Sequence, residues 1–374
     1  MFLSIPEFAM AEGNLHIGAL ELHPYLTLKE TYSDNIYSTA TEEKHDYITT
    51  IIPGMRLQFP FRAHQLALEY NVVLNEYKKY DEENITNHNA NALLDFKFGR
   101  RLGLKLSDVY ARGHEPRGSS STGLIEKYKT NAAAASATYQ MADVSMVQLD
   151  YAKTTYNFIT SQFRDRDEDL ISAYIYYRFL PKTSVFLEYD YKSVNFDPIS
   201  DDLDNKVDSG FLGLTWEITE KSKGTIKGGY LWKDFDVQSG GDLETWTASI
   251  DLDHRFTDYT SIRLIGQRMV NESNLQGTKY IITTGAYAEF THRFIAKLAA
   301  IVRGSYGKDD FSDVVPPETR VRKDRTAVAG IGLKYFIQNW LAIAVDYNHR
   351  DRNSNINVND YTENSYTFTI NFAL

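Results

Sequence analysis

Apolar and polar residues alternate along most of the chain with a period of two. Residues 64–79 show the pattern well, because Leu66, Leu68, Tyr70, Val72 and Leu74 fall on one face and mainly polar residues fall on the other. Successive side chains of a β-strand point to opposite faces, so the segment is predicted to be a strand with one apolar side and one polar side. The same pattern recurs to the end of the chain.

The alternation predicts about 18 strands. They lie near residues 21–31, 47–59, 64–79, 88–98, 102–112, 127–139, 144–158, 168–180, 183–196, 206–219, 223–236, 243–256, 259–271, 279–292, 296–308, 323–337, 340–350 and 361–374. Short turns and long polar loops alternate between them. The last segment is apolar on one face and needs a partner on each edge. We therefore expect it to close a ring by pairing with residues 21–31.

These features predict an all-β fold, a transmembrane antiparallel up-and-down β-barrel formed by residues 20–374. Sandwich strands average about 5–6 residues and a propeller packs four short strands into about 40–45 residues, whereas the segments here are longer. A tilted strand of about 9–11 residues crosses a bilayer, and no apolar run of about 18 residues predicts a membrane helix. Short periplasmic turns, long extracellular loops and an even strand count are typical of barrels in the outer membrane of Gram-negative bacteria.

The first 19 residues are predicted to be an extension outside the barrel. Ala9-Met10-Ala11 has the small-x-small form of a signal-peptide cleavage site, but a basic start and a full apolar region are missing. We interpret residues 1–19 as a signal remnant or vector sequence.

Composition narrows the possible functions. The net charge of −10 argues against nucleic-acid binding, and the absence of cysteine excludes disulfides and cysteine metal sites. The aromatic content is 13%, and rings cluster at the strand ends, as expected for two belts at the membrane interfaces. The belt near the short turns comprises Phe59, Phe98, Tyr139, Phe179, Trp216, Phe256, Phe294, Tyr335 and Phe372. The belt near the long loops comprises Tyr32, Tyr77, Tyr110, Tyr156, Tyr191, Trp232, Tyr306 and Tyr347.

The polar face is predicted to line a water-filled lumen. Its candidate residues are Lys29, Arg56, Glu69, Asp95, Lys97, Lys105, Tyr174, Tyr176, Arg178, Glu188, Asp190, Lys192, Glu217, Lys227, Arg263, Glu289, Arg303, Lys334, Asp346 and Arg350, and the same alternation adds Lys129. Paired charges and tyrosines suit a hydrated, sugar-like solute, and a slight basic excess would favour an anionic one. For each single charge, the alternative is a salt bridge that braces the wall. The acidic run at 165–169 is assigned to a long loop.

One segment resembles a known family. Residues 23–37, HPYLTLKETYSDNIY, are similar to the start of the type 2 outer-membrane β-barrel porins, where this segment forms the first strand and enters the first external loop. Members often accompany exopolysaccharide gene clusters, so the resemblance implies polysaccharide export across the outer membrane. Periplasmic export partners belong to the same expectation. One departure is the final residue, Leu374, because such barrels usually end in an aromatic residue.

Three functions follow as hypotheses. The first is a porin that exports a polar or anionic exopolysaccharide. The alternative is a general or substrate-selective diffusion porin for small hydrophilic solutes, and the third is an enzyme or adhesin built on a barrel. No His-Glu-x-x-His, phosphate-binding glycine loop or Gly-x-Ser-x-Gly motif is present, so no enzyme activity, cofactor or metal is predicted. The expected partners are outer-membrane lipid, lipopolysaccharide and the solute, and the expected assembly is a monomer.

Overall fold

The computed structural model describes residues 15–115, 126–197, 203–219, 221–236 and 241–373. Strands occupy most of this part of the chain: β1 Leu15–Ile17, β2 Leu20–Ser33, β3 Asp46–Phe61, β4 His64–Tyr77, β5 Ile85–Phe98, β6 Leu102–His114, β7 Lys127–Ala142, β8 Ser145–Phe158, β9 Arg166–Leu180, β10 Thr183–Phe196, β11 Asn205–Thr219, β12 Ser222–Phe235, β13 Leu243–Thr257, β14 Thr260–Glu272, β15 Tyr280–Ile295, β16 Leu298–Phe311, β17 Lys323–Gln338, β18 Leu341–Ser354 and β19 Tyr361–Ala373. Each predicted strand corresponds to one of β2–β19. The predicted features at residues 1–14 and at Leu374 lie outside the described residues.

The strands form one closed antiparallel barrel. Each strand from β2 to β18 pairs with the next, and β19 pairs with β2 through partners such as Ile370 and Leu28. This closure confirms the predicted fold class, an 18-stranded barrel. The short strand β1 adds a small hairpin by pairing Leu15–Ile17 with Leu20–Leu22. Within the described residues, no helix has the length and apolarity needed to cross a membrane.

The connections at the two ends of the barrel differ in length. The turns that follow β3, β5, β7, β9, β11, β13, β15 and β17 are two or three residues long, whereas the loops at the other end include residues 34–45 and 312–322. Two of the short turns use left-handed backbone at Arg62 and Gly99. The difference matches the predicted arrangement of short turns and long loops.

The two faces of the sheet differ as the alternation predicts. Large apolar side chains, among them Leu187, Leu212 and Val345, are more than half exposed on one face. On the other face, side chains reach over an intervening strand, as when Tyr25 on β2 donates a hydrogen bond to Glu69 on β4. Contacts that skip a strand require a concave surface. The polar face therefore lines the barrel interior, and the apolar face points outwards.

The aromatic belt near the long loops needs a correction. Strand register places Tyr77 and Tyr156 on the inner face, since Tyr77 pairs with Ile48 and Tyr156 pairs with Arg166. The Arg166 guanidinium lies 4.1 Å from the centre of the Tyr156 ring. Within β8 the odd-numbered residues Leu149 and Tyr151 are exposed on the outer face. Tyr156 is even-numbered and therefore faces inwards, so its assignment to the outer belt is wrong.

The end of β14 bends into the barrel. Pairing between β13 and β14 begins only at Ala248 and Arg268, so the long-loop end of β13 has no backbone partner on β14. Thr247 instead donates its hydroxyl hydrogen to the carbonyl oxygen of Arg268, at 2.8 Å. Glu272, the last residue of β14, thereby reaches strands that lie further along the inner wall.

Candidate solute-binding surface inside the barrel

The structure places the candidate lumen residues on one surface. Strand register and the strand-skipping contacts put every candidate in the longer list above on the concave face, for example Lys105 opposite Asp95 and Arg263 opposite Glu289. Lys129 is the exception. Lys129 and Tyr139 lie an even number of positions apart on β7, so Lys129 shares the outer face with Tyr139. On β6 its partner is Arg112.

An aromatic and polar cluster lies towards the short-turn end. The rings of Tyr174 and Tyr176 on β9 are nearly parallel, with centroids 5.9 Å apart, and the Tyr176 ring centroid lies 5.3 Å from that of Phe186 on β10. Lys227 on β12 donates to Glu188 at 2.6 Å, and its ammonium group lies 4.3 Å from the centre of the Phe211 ring. The sequence predicts all of these residues on the inner face except Phe186 and Phe211, which it does not single out.

Gly213 makes room for this cluster. A Cβ atom built at Gly213 would lie 2.2 Å from the Phe186 ring, so any larger residue would displace the ring. On the neighbouring strand β8, the amide nitrogen of Gln148 donates to Asp150 at 2.8 and 3.0 Å. The Oδ1 atom of Asp190 is buried and has no hydrogen-bond partner within the described residues. The cluster therefore combines aromatic surface with a partly buried carboxylate group.

A second cluster, buried and ionic, lies towards the long-loop end. Glu272 from β14 accepts from Lys233 on β12 at 2.6 Å and lies 3.5 Å from Lys192 on β10. Lys192 also lies 3.4 Å from Glu168, which accepts from Arg166 at 2.8 Å. Four strand spacings, or about 19 Å of wall, separate β10 from β14. The contact exists only because the end of β14 folds inwards.

Sequence reasoning missed most of this ionic cluster. The sequence places Arg166 in a loop and Glu168 at the boundary between that loop and the strand, whereas β9 begins at Arg166 and places both side chains inside. Lys233 and Lys227 lie an even number of positions apart on β12. The alternation could therefore have placed Lys233 on the inner face. Asn205 joins Lys233 and Glu272 by hydrogen bonds of 2.9 and 3.2 Å. No local pattern shows that Glu272 turns inwards, because that depends on the register between β13 and β14.

Two further networks lie on other parts of the wall. On β2–β4, Arg56 donates to Glu69 at 3.0 Å, and Tyr25 donates to the same carboxylate at 2.9 Å. On β15–β18, Arg303 donates to both Glu289 and Asp346 at 2.9 Å. These bridges fit the wall-bracing alternative for the residues concerned.

Other candidates have weaker contacts or none. Arg350 lies 3.7 Å from Glu363, and Arg263 lies 3.8 Å from Asp251. Lys334 lies over the Phe336 ring, and Arg178 donates to the carbonyl oxygen of Asp143. The side chains of the remaining candidates make no hydrogen bond or ion pair with the described residues; these are Lys29, Asp95, Lys97, Lys105 and Glu217.

Cations cover aromatic rings near the long loops. The guanidinium of Arg164 lies 3.9 Å from the centre of the Phe158 ring, and that of Arg322 lies 5.0 Å from the Phe311 ring. Arg164 also makes a two-pronged contact with Glu115 at 2.7 and 3.0 Å. Planar guanidinium groups favour both kinds of contact. These buried arginines and rings therefore pack together near the long loops.

Charge is nearly balanced across the networks. The ionic cluster contains the cations Arg166, Lys192 and Lys233 and the carboxylates Glu168 and Glu272, a net charge of +1. The Arg303 network contains one cation and two carboxylates, a net charge of −1. The predicted basic excess is thus confined to parts of the wall. Within the described chain, no group of three or more histidine or acidic residues could hold a metal ion.

Comparison with known proteins identifies the family. A family model described as "Putative beta-barrel porin 2" matches residues 11–373. The chain belongs to this family. It is an outer-membrane porin of a Gram-negative bacterium, which confirms the predicted family resemblance and localisation. No curated protein sequence matches the chain.

Several solved structures share the fold of this porin. OpdL from Pseudomonas aeruginosa has a TM-score of 0.51 and 13% identity, covering 96% of this chain and 99% of that one. OccK2 (OpdF) from the same organism has a TM-score of 0.52 and 10% identity, with coverages of 94% and 98%. OccAB2 from Acinetobacter baumannii has a TM-score of 0.50 and 13% identity, with coverages of 96% and 99%.

The comparisons do not favour the first functional hypothesis. They give no support to exopolysaccharide export or to periplasmic export partners. The export hypothesis rested on the gene neighbourhood of family members, which is not a property of these residues.

Proposed function

We propose that this porin is a diffusion channel for small hydrophilic solutes. The observation that carries the proposal is the inner face of a closed barrel, where charged and tyrosine side chains from β2–β4, β9–β12 and β15–β18 surround the axis. Barrels of about 16–18 strands are too wide for their own side chains to fill, and they enclose water. A hydrated solute can exchange its water contacts for contacts with these groups.

The inward end of β14 supports selectivity by size. Glu272 is held to β10 and β12 through Lys192 and Lys233, so this strand end occupies part of the lumen. Phe235 and Tyr280 add a ring contact of 6.5 Å between β12 and β15 in the same region. The lumen is narrower at this level than in a barrel of the same strand number whose strands all stay in the wall.

Liposome swelling tests the proposal directly. The full chain is reconstituted into liposomes, which are diluted into isotonic solutions of arabinose, glucose, maltotriose or a large dextran. We expect fast swelling with arabinose, slower swelling with glucose and maltotriose, and none with dextran. Swelling no faster than that of protein-free liposomes, for every sugar, would refute the proposal.

The same preparation separates diffusion from export. A polymer conduit should be blocked selectively by long chains, and its deletion should reduce surface polysaccharide. We expect free passage of small sugars without polymer-selective block, and unchanged surface polysaccharide in a clean deletion strain.

A further inference from the structure

The cluster around Tyr174 and Tyr176 has features of a binding site for one class of solute. This inference rests on the proposed function, since it concerns what the channel passes. We propose that this cluster is a subsite for ring-shaped polyhydroxylated solutes, meaning sugars in their cyclic form. The ring cluster is defined here as Tyr174, Tyr176, Phe186, Glu188, Asp190 and Lys227.

The aromatic surface supplies the first half of the site. Tyr174 and Tyr176 both face the lumen on β9, their rings are inclined by only 18°, and Phe186 lies behind them and is buried. The apolar C–H face of a sugar ring packs well on such a surface, because aromatic rings bury a large area at little loss of side-chain freedom. An open-chain polyol has no flat apolar face and gains less from the same contact.

The polar groups supply the second half. The Oδ1 atom of Asp190 is buried beside the aromatic rings and has no hydrogen-bond partner within the described residues, and a buried acceptor without a partner is energetically unfavourable. A sugar hydroxyl can donate to this oxygen only if neighbouring side chains move aside, because the oxygen has almost no accessible surface. The Glu188–Lys227 pair, at 2.6 Å, fixes the charges next to it, and its ammonium group also covers the Phe211 ring. A carboxylate acceptor beside a flat ring is a chemically suitable arrangement for a cyclic solute with several hydroxyl groups.

The position of the cluster makes it accessible from only one side. Gln148 and Asp150 on β8 form one edge, and Gly213 on β11 leaves the space that Phe186 fills. The Tyr174 and Tyr176 side chains are only partly buried, whereas Phe186 and Glu188 have less than a tenth of their surface exposed. Solute in the lumen is therefore more exposed to the two tyrosines than to Phe186 or Glu188.

Two measurements on the full chain test the proposal. In planar bilayers, maltotriose is added and the frequency and duration of current blocks are recorded. In detergent solution, calorimetric titration with maltotriose measures binding without any need for current. The key variant is Tyr174→Ala with Tyr176→Ala, and the matched control is Tyr287→Ala, which removes an inner tyrosine bonded to Glu289 outside the ring cluster.

We expect wild type and the Tyr287 control to bind maltotriose and to show block, and the double variant to lose about fivefold or more in affinity and in block duration. Asp190→Ala removes the acceptor oxygen and should lower the affinity for maltotriose, while the two tyrosine rings still support part of the current block. Liposomes should swell more slowly in glucose than in sorbitol, an open-chain polyol of the same carbon number, when they contain wild type or the Tyr287 control, but not when they contain the double variant. Equal swelling rates for glucose and sorbitol in wild type would count against a ring-specific site.

Failure of this inference is distinguishable from failure of the proposed function. Conduction and sugar flux without maltotriose binding, or equal binding by wild type and double variant, would overturn the ring cluster as a subsite and leave the diffusion channel standing. Binding that the double variant loses, in a chain that carries no current, would support the subsite and refute the channel. Heat-modified migration on gels confirms that each variant is folded.

Discussion

Gly332 on β17 leaves the space that the Arg303–Asp346 ion pair needs to cross this strand. A Cβ atom at this position would lie 2.2 Å from Asp346 Oδ1, so the absence of a side chain lets Asp346 lie across β17. Arg303 on β16 then reaches Asp346 on β18 at 2.9 Å. A glycine inside a strand usually weakens it, so its presence here indicates a close approach by another group.

Gly332→Ala should therefore break the Arg303–Asp346 bridge. We expect a loss of about 1–3 kcal/mol in the free energy of unfolding, because the added methyl group must displace a packed carboxylate. Urea unfolding of the lipid-reconstituted protein measures this difference in free energy. Gly228→Ala is the control, since a Cβ atom there would have open space; an equal loss in both variants would contradict the explanation.

Lys233 is the most deeply buried cation of the ionic cluster. Its side chain is 1% exposed and that of its partner Glu272 is 2% exposed. Removing one member of a buried pair leaves the other uncompensated, which costs about 3–5 kcal/mol. Lys233→Met should lower the unfolding free energy by about that amount.

Lys206→Met is the matched control for this change. Lys206 pairs with Asp236 at 3.2 Å, but both side chains are about half exposed, and exposed pairs contribute about 0–1 kcal/mol. Comparable losses in the two variants, measured by the same unfolding experiment, would show that the ionic cluster does not stabilise the barrel.

At the scale of elements, alternation was sufficient to locate the strands. Each of β2–β19 was predicted within a few residues, because a wall between lipid and water forces a period of two on every strand. The lumen candidates followed from the same parity. What parity could not show was where a strand leaves the wall, so Glu272 was assigned to a loop end and its cluster was missed. Tyr77 and Tyr156 were misplaced because proximity to a loop was weighed above parity.

The inward end of β14 is expected to limit the current. Glu272→Ala removes the contacts with Lys192 and Lys233 that hold this strand end against β10 and β12. We expect a higher single-channel conductance than in wild type. Glu69→Ala is the control, because it removes the same charge from a network that lies flat on the wall. An unchanged conductance in the Glu272 variant, or an equal rise in both, would argue against a constriction here.

The closing strand β19 should be indispensable. Its deletion, residues 361–374, leaves β18 and β2 with unpaired edges, and unpaired backbone groups are not tolerated in lipid. We expect no heat-resistant species in detergent. Deletion of residues 15–17 removes the exposed pairing of β1 with β2 and should leave the barrel intact. A heat-resistant, membrane-inserted product lacking β19 would disprove the role of closure.

At the scale of the whole molecule, both the fold and the family identify a porin. The chemistry of the inner face determines which solutes it passes. The chain carries a net charge of −10, but the charges inside the barrel are largely paired, so a strong preference for anions is not expected from them. Balanced charges and tyrosines favour solutes that are polar without being highly charged. Export of a long polymer would need contacts repeated along the axis, whereas the networks occupy separate parts of the wall.

Solute flux through the reconstituted channel tests this account most directly. The rate of swelling is measured for liposomes that contain the full chain, across neutral sugars of increasing size. We predict rates that fall steadily from arabinose to maltotriose and reach the protein-free level with large dextran. Rates equal to those of protein-free liposomes for all sugars, or entry of dextran as fast as glucose, would contradict it.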